Sequence, residues 1–217
     1  MIVDERIEAY IDSLDKGNTP FLNELEAYAK KNEVPVIKRP TQNLLRLLLQ
    51  MKRPESILEI GTAIGFSALL MAEYGPKDCP ITTIEKYEKR ILAAKENFKK
   101  AGRDRQILLL EGDAADILRD LSKKQPRSFD FIFMDAAKGQ YLRFLPDILL
   151  LLRQGGLLIS DNVLQDGDIV ESRFAVTRRN RTIHSRMRDY LYALTNDETL
   201  QTAVLPLGDG VTVSVKK

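Results

Sequence analysis

Hydrophobic positions follow a helical rhythm in the first 52 residues of the chain. Ile7, Ile11 and Leu14 recur at spacings of three and four, which predicts an amphipathic helix. Pro20 and Pro40 stand where a second and a third helix would begin, because proline is favoured in the first helical turn. We therefore predict a cap of helices at the start of the chain.

The rest of the chain alternates short apolar runs with stretches of helical periodicity. Short buried strands separated by helices are typical of parallel βαβ units, in which helices cover both faces of a sheet. Near the end, two β-rich stretches flank Gly208-Asp209-Gly210 and predict a hairpin. The fold class that we expect is α/β, as one domain with a helical cap, residues 1–52, and an α/β core, residues 53–217. The predicted strands begin at Ile57, Ile81, Ile107, Phe129 and Gly156.

Composition places the chain among ordinary globular proteins. Of 217 residues, 44% are hydrophobic and 29% are charged, which disfavours a disordered, collagen-like or coiled-coil chain. The single cysteine, Cys79, excludes an internal disulfide, and the single histidine, His184, excludes a site that needs two. The first residues carry acids where a secretory signal would be basic, so we expect a cytoplasmic protein.

A glycine-containing turn follows the first predicted strand. Gly61 and Gly65 are spaced G-x-x-x-G, which differs from the G-x-G-x-x-G of nicotinamide dehydrogenases and lacks the lysine of a phosphate-binding P-loop. Glu85, at the end of the second strand, could accept hydrogen bonds from two ribose hydroxyls, and Asp113, after the third, could meet an adenine edge. Together they favour a nucleoside ligand. The alternative is that the glycines only permit tight packing and Glu85 is a solvated strand end.

Acidic and amide side chains follow the fourth and fifth predicted strands. Asp135 ends the fourth, and Asp161-Asn162 ends the fifth. Ligands of open α/β sheets bind outside the carboxyl ends of the strands. Oxygen ligands without histidine or cysteine suit a hard cation such as Mg²⁺. The alternative is an ordinary turn at Asp161-Asn162 and a helix cap at Asp135.

The motifs LEIGTAIGFSALLMA, TTIEKYEKRILAAKENF, LEGDAADIL, FDFIFMDAAKGQY and LLISDNVL stand in order from about Val34 to the C-terminus. The set resembles the metal-dependent class I S-adenosylmethionine O-methyltransferases, the group of catechol and caffeoyl-CoA methyltransferases. The paired motifs D-x-x-K and S-D-N are specific to this branch. The resemblance implies a Rossmann-like, mostly parallel sheet of seven strands, with the last strand, around Val211–Val215, inserted antiparallel.

The resemblance also implies roles for individual residues. Lys138 matches the family's proposed catalytic base, and Asp135, Asp161 and Asn162 match its ligands for Mg²⁺ or another hard divalent cation. The residues expected to bind S-adenosylmethionine are Val36, Glu59, Gly61, Ser67, Glu85, Asp113, Ala114 and Asp135.

The net charge of +2 taken alone disfavours a nucleic-acid-binding protein. However, residues 171–190 hold six arginines and only two acids, a local charge of +4, and an RNA backbone would need such cations. The alternative is a solvated helix face or a dimer contact. The arginines are Arg173, Arg178, Arg179, Arg181, Arg186 and Arg188.

The stretch RRNRTIHSRMRDYL resembles the bacterial tRNA 5-hydroxyuridine methyltransferase subfamily. This resemblance implies methylation of the wobble base to 5-methoxyuridine, binding of the tRNA anticodon loop and a homodimer, for which the N-terminal helices are candidate contacts. 5-Hydroxyuracil has a hydroxyl beside a carbonyl oxygen, a pair that can chelate Mg²⁺ as a catechol does. Three alternatives stay open: a small catechol-type or caffeoyl-CoA-like substrate, a nicotinamide dehydrogenase, and a non-catalytic nucleoside- or RNA-binding protein.

Overall fold

The computed structural model describes residues 3–172, 174–178 and 180–217. Its first part consists of three helices, α1 (Glu5–Ser13), α2 (Pro20–Lys31) and α3 (Arg39–Lys52). Proline stands in the first turn of α2 and of α3, as the sequence predicts. Leucines of α2 and α3 pack into the hydrophobic core, whereas α1 has no buried residue.

The second part alternates strands and helices. The first four strands begin at the predicted residues, so the alternation of apolar runs identified them correctly. The strands are β1 (Ile57–Ile60), β2 (Ile81–Glu85), β3 (Ile107–Glu111), β4 (Phe129–Met134), β5 (Leu152–Ser160), β6 (Leu200–Leu205) and β7 (Val211–Lys216). The helices are α4 (Phe66–Tyr74), α5 (Glu88–Lys100), α6 (Ala114–Lys124), α7 (Tyr141–Leu151) and α8 (Arg181–Asn196), with 3₁₀ segments at Lys138–Gln140 and Gln165–Val170.

The seven strands form one sheet in the order β3-β2-β1-β4-β5-β7-β6. Strands β1 to β5 run parallel, and β7 lies antiparallel between β5 and β6. The predicted α/β class, the Rossmann-like arrangement and the antiparallel last strand are thereby confirmed. The strand order reverses between β1 and β4, and such a switch point opens a crevice at the carboxyl ends of the strands.

Two hydrophobic clusters cover the two faces of the sheet. Every residue of β4 is buried, and its side chains alternate: Phe131 and Phe133 pack with the cluster that includes α3 and α4, Ile132 and Met134 with the cluster that includes α7 and α8. A strand buried on both faces is continuously apolar, as expected in a parallel sheet with helices on both sides. This packing fixes the end of β4, and hence the position of the residues that follow it.

Strand β5 begins at Leu152, earlier than the predicted start at Gly156. The pairing between β4 and β5 shifts its register between Phe129 and Phe131, and Gly155 has a φ of 70°. The extra residues form an irregular start to the strand, where Gln154 and Gly155 are exposed. Because these positions are polar or lack a side chain, hydrophobic periodicity does not reveal them.

None of the helices in the described ranges is long and apolar enough to cross a membrane.

Candidate active site

A cavity of about 850 Å³ lies at the carboxyl ends of the parallel strands, where the strand order reverses. Its walls come from the segment before α3, from the turns after β1 to β5, from the start of α7 and from the β6–β7 turn. Of the predicted donor-binding and metal-binding residues, Glu59 and Asp161 do not line it and are almost fully buried, with exposures of 0% and 2%. The predicted residues that line the cavity are Val36, Gly61, Ser67, Glu85, Asp113, Ala114, Asp135, Lys138 and Asn162.

Glycine is required at both predicted positions of the turn after β1. Gly61 has a φ of 106°, and a Cβ there would lie 2.0 Å from the carbonyl oxygen of Asp135. Gly65 has a φ of 89°, and its Cβ would lie 2.5 Å from the Phe98 ring. L side chains rarely adopt such φ values. The glycines therefore serve tight packing, and Gly61 also brings the backbone to the cavity wall.

The Glu85 carboxylate is fixed by backbone groups. Oε2 accepts a hydrogen bond from the Ala63 amide at 2.9 Å, and Oε1 accepts from the amides of Lys86 and Tyr87 at 2.8 and 3.0 Å. A carboxylate has about four lone-pair sites, so capacity remains on the cavity side. Glu85 is thus a rigidly placed acceptor and not a solvated strand end, with 7% exposure.

The Glu59 carboxylate lies behind the cavity wall. Oε2 accepts a hydrogen bond from the Thr83 hydroxyl, whereas Oε1 is buried without a partner among the described residues. Burial raises the pKa of Glu59 to about 7, against the opposing effects of the Ser67 and Thr83 hydroxyls. A buried acceptor without a donor is costly. An S-adenosylmethionine ammonium group fits this need, because it is a cation with several N–H donors.

Asp113 has a structural partner as well as a place on the cavity wall. Its side chain caps α6 by accepting a hydrogen bond from the Ala115 amide at 3.0 Å. Lys86 Nζ lies 3.6 Å from the other carboxylate oxygen. The cap holds Asp113 and Ala114 at the edge of the cavity next to the β2 end.

Two desolvated carboxylates lie together at the ends of β4 and β5. Burial raises the pKa of Asp135 to about 6, with Lys138 acting in the opposite direction. Burial raises the pKa of Asp161 to about 7, and the negative charge of Asp135 adds to this effect. Both shifts mean that ionising this pair is unfavourable in the protein alone, a cost that a nearby cation would offset.

Hydrogen bonds orient the groups around this acidic pair. Thr41 Oγ1 donates to Asp161 Oδ1 at 3.3 Å, and the Asn162 backbone amide donates to the same oxygen at 2.8 Å. The Asn162 side-chain amide donates from Nδ2 to Asp209 Oδ2 at 3.1 Å. Its carbonyl oxygen accepts no hydrogen bond from the described residues and is therefore available as a ligand.

The donor set suits a hard divalent cation. Two carboxylates and one amide oxygen are the ligand types that Mg²⁺ prefers. Over the described ranges, no group of three histidine, cysteine, aspartate or glutamate side chains could hold a metal ion by itself. The fit consequently depends on the Asn162 oxygen as the third ligand, as the S-D-N motif implies.

Lys138 lines the same part of the cavity, in the 3₁₀ segment that precedes α7. Its positive charge opposes the rise in the pKa of Asp135 that burial causes. The next residue, Gly139, accepts a hydrogen bond from Arg186 of α8 at 3.1 Å. Helix α8 therefore supports the segment that carries the predicted base.

Several residues of the site escaped prediction from the sequence. Tyr141 donates to the carbonyl oxygens of Met134 and Asp161 at 3.4 and 3.1 Å, so its hydroxyl joins the ends of β4 and β5. Thr41 and Asp209 belong to distant segments, and no local pattern marks them as members of the site. The D-x-x-K-x-x-Y spacing was the one available signal for Tyr141, since it places the tyrosine after Lys138.

The arginine segment is only partly free to bind a partner. Arg173 and Arg179 lie outside the described residues. Arg178 is exposed and makes no side-chain hydrogen bond to the described part of the chain. Arg181 donates to the Val176 and Phe174 carbonyl oxygens, Arg186 to Gly139, and Arg188 to Ile169 at 3.1 Å. The side chains of these last three arginines are therefore engaged in hydrogen bonds to the protein's own backbone.

Comparison with known proteins gives a consistent result. A family model described as O-methyltransferase matches residues 12–217. Catechol O-methyltransferase from Niastella koreensis is 33% identical over 169 residues, which cover 77% of this chain and 76% of that protein.

Solved structures of methyltransferases are also similar to this chain. A provisionally assigned caffeoyl-CoA O-methyltransferase from Staphylococcus aureus is 33% identical, covers 99% of this chain and 100% of that one, and gives a TM-score of 0.89. A methyltransferase from Podospora anserina, solved with S-adenosylhomocysteine bound, is 27% identical, with coverage of 98% and 94% and a TM-score of 0.86.

Proposed function

The chain belongs to the O-methyltransferase family, in the class I group with catechol and caffeoyl-CoA methyltransferases, and we propose that it methylates 5-hydroxyuridine at the tRNA wobble position in a Mg²⁺-dependent reaction. S-adenosylmethionine is the methyl donor of this group. The dehydrogenase and non-catalytic alternatives are excluded by the family. The observation that carries the proposal is the acidic pair beside Asn162 and Lys138, at one end of a cavity large enough for a nucleoside donor and an unstacked base.

The donor would lie along the ends of β1, β2 and β3. Glu85, held by three backbone amides, would accept the ribose hydroxyls. Gly61 and Ser67 would lie against the methionine portion of the donor, and the negative charge of Glu59, buried behind the cavity wall, would attract its ammonium group. Val36, before α3, would cover the donor from the cap side. The adenine would lie against Asp113 and Ala114.

The acidic end of the cavity would hold the acceptor. Asp135, Asp161 and Asn162 would bind the cation, which when bound lowers the pKa of a coordinated hydroxyl. Lys138 would accept the hydroxyl proton at Nζ. When bound, S-adenosylmethionine would supply an electrophilic methyl group on its sulfonium, and the cavity residues would hold that group in line with the acceptor oxygen. Holding both reactants in line supplies much of the rate.

A tRNA substrate is favoured by charge around the cavity mouth. Several cations line it besides Lys138, and Arg186 connects this rim to the arginine segment through Gly139. Phosphate contacts by such side chains supply most non-specific RNA affinity, and the wobble base in a single-stranded loop can be unstacked into a pocket. A tRNA substrate also implies a cytoplasmic location. The lining cations are Lys86, Lys89, Arg90 and Arg143.

A small catechol-type or caffeoyl-CoA-like substrate is the second candidate. Two observations favour it: the named relatives, and the use of Arg181, Arg186 and Arg188 in hydrogen bonds to the protein's own backbone. A catechol presents the same pair of neighbouring oxygens as 5-hydroxyuracil, so the acidic end of the cavity does not distinguish the two.

The deciding experiment offers both substrates with one labelled donor. The protein is incubated with methyl-labelled S-adenosylmethionine, Mg²⁺ and either tRNA that contains 5-hydroxyuridine or a panel of catechols and caffeoyl-CoA. We expect label in tRNA at a kcat/KM at least about tenfold above that of any small molecule, and no transfer with excess chelator. Efficient transfer to a small molecule with none to tRNA would establish the second candidate.

A further inference from the structure

We infer that Asp209 is a positioning residue, held by Lys38, that orients the Asn162 side-chain amide so that its oxygen faces the proposed cation. The inference rests on the proposed metal dependence and goes beyond it, because neither residue belongs to the expected ligand set. Asp209 is contributed by the β6–β7 turn, and Lys38 by the residue before α3. Both are far from Asn162 in sequence.

The β6–β7 turn is docked against the segment that follows Asn162. The Val163 amide donates to the Gly210 carbonyl oxygen and the Leu164 amide to that of Asp209, both at 2.9 Å. Gly210 has a φ of 87°, and a Cβ there would lie 2.3 Å from Leu164. The backbone of the turn is therefore fixed relative to Asn162. This fixes the position from which the Asp209 side chain extends.

The Asp209 carboxylate contacts Asn162, Lys38 and the side chain of Asp166. Oδ2 accepts the hydrogen bond from Asn162 Nδ2 at 3.1 Å, and Oδ1 accepts from Lys38 Nζ. Lys38 Nζ also lies 3.3 Å from Asp166 Oδ1. The Lys38 ammonium thus fixes the carboxylate in the orientation that receives the Asn162 amide.

The chemistry of an asparagine ligand explains why such a device would be needed. The two ends of a carboxamide are nearly equal in size, but only the oxygen can bind a cation. An acceptor that engages Nδ2 selects one of the two orientations. A mobile Asp209 carboxylate could not select one orientation, because the Asn162 amide would rotate together with it. Partners behind the ligands of this kind commonly contribute about 10–100-fold to metal affinity.

Two substitutions at one position separate the hydrogen bond from the charge. Asp209→Asn and Asp209→Ala both remove the negative charge, but only Asn keeps an acceptor for Asn162 Nδ2. Mn²⁺ binding to each full-length protein, with S-adenosylhomocysteine present, is measured by calorimetry. We expect Asp209→Ala to bind Mn²⁺ at least about tenfold more weakly than Asp209→Asn. Lys38→Met should weaken Mn²⁺ binding in the same direction, to a smaller extent.

Two controls exclude a general structural effect. Affinity for S-adenosylhomocysteine alone should stay within about twofold of wild type in all three variants, because neither Asp209 nor Lys38 belongs to the residues expected to bind the donor. Asp197→Ala removes a turn-capping carboxylate before β6, which accepts from the Thr199 amide at 2.8 Å. This variant should unfold at lower denaturant without a change in Mn²⁺ affinity.

Three results would overturn the orienting role of Asp209 or the metal site on which it rests. Equal Mn²⁺ affinities for Asp209→Asn and Asp209→Ala would overturn the orienting role. A loss in Asp209→Asn as large as in Asp135→Asn would also overturn it, by making Asp209 a direct ligand. If the wild-type protein binds no divalent cation, the proposed metal dependence fails first and this inference fails with it.

Discussion

Gly61 illustrates how one residue type decides the geometry of the site. Its positive φ and the 2.0 Å approach of a hypothetical Cβ to the Asp135 carbonyl oxygen leave no space for a side chain. The sequence allowed either tight packing or ligand approach as the reason for this glycine. The structure shows tight packing against the end of β4, and it also places Gly61 on the wall of the cavity.

Gly61→Ala should therefore lower the free energy of unfolding by more than backbone strain alone would. We expect a loss of unfolding free energy above about 3 kcal/mol, from overpacking and backbone strain together. Gly102→Ala is the matched control: its φ is also positive, at 64°, but nothing lies within 4 Å of its Cβ. It should lose only about 1–2 kcal/mol. Denaturant unfolding measures both, and equal losses would refute the close approach to Asp135.

The buried carboxylates predict how stability depends on pH. In the protein without cation, the pKa of Asp161 is raised to about 7 and that of Asp135 to about 6. Between the ordinary carboxyl pKa near about 4 and these values, the folded state binds more protons than the unfolded state. Their contribution to stability is thus fully present below about pH 4 and is lost as the pH rises through about 6 to 7.

Asp161→Asn should flatten this pH dependence, since the amide does not ionise. Unfolding free energies are compared at about pH 5.5 and about pH 8 for wild type and variant under chelation. We expect wild type to lose more stability than the variant between these two values. Excess Mg²⁺ should restore wild type at the higher pH, but not Asp161→Asn to the same extent. An identical slope in both proteins would show that Asp161 is not desolvated as described.

Secondary-structure elements were predicted well where hydrophobic periodicity defines them. Strand β4 is an example, because burial on both faces requires apolar side chains at nearly every position, and Asp130 is the one charged residue in this strand. The start of β5 was missed, since Gln154 and Gly155 are exposed there. The insertion of β7 between β5 and β6 came from family resemblance, because a hairpin pattern alone does not state which strand pairs with the sheet.

Helix α8 and the loop before it carry the arginine segment, and the two ends of this segment should behave differently. Arg178 is exposed, whereas Arg186 binds the Gly139 carbonyl oxygen beside Lys138. We expect Arg178→Glu to weaken tRNA binding and to reduce the slope of log K against log salt concentration by about one for each phosphate that the variant no longer binds. Methylation of any accepted catechol should not change.

Arg186→Ala should lower turnover on every substrate, because it releases the segment that positions Lys138. Filter binding at several salt concentrations and steady-state kinetics on both substrate types measure these effects. Arg178→Lys, which keeps the charge, is the control for the exposed position. A loss of catechol methylation in Arg178→Glu would mean that the loop shapes the pocket instead of binding RNA.

At the scale of the whole molecule, contacts between the cap and the site connect residues remote in sequence. Thr41 and Asp161 are 120 residues apart, and Lys38 and Asp209 are 171 apart. Hydrophobic periodicity does not reveal contacts between residues so far apart in sequence. The sequence therefore predicted a helical cap, but not its contacts with the acidic residues at the ends of the strands. The placement of Asp135, Asp161 and Asn162 at one edge of the sheet could be predicted, because these residues follow directly after neighbouring strands.

Helix α1 leaves an apolar stripe in solvent, which supports the proposed homodimer. Ile7, Tyr10, Ile11 and Leu14 share one face at helical spacing and are 46–66% exposed. Burial of apolar area of this kind stabilises subunit contacts. We expect Ile11→Glu to shift the mass measured by light scattering from dimer to monomer. Leu92→Glu, on exposed α5, should leave it unchanged; a monomeric wild type would contradict the proposal.

The central claim is metal-dependent methyl transfer to a hydroxyl of a wobble uridine. Nucleoside mass analysis of hydroxyuridine-containing tRNA, after incubation with S-adenosylmethionine and either Mg²⁺ or chelator, tests it most directly. Wild type with Mg²⁺ should convert 5-hydroxyuridine to a product heavier by one methylene group, and Asp135→Ala or chelation should abolish the conversion. Unmodified 5-hydroxyuridine after prolonged incubation with Mg²⁺, by a protein that binds the donor, would contradict the claim.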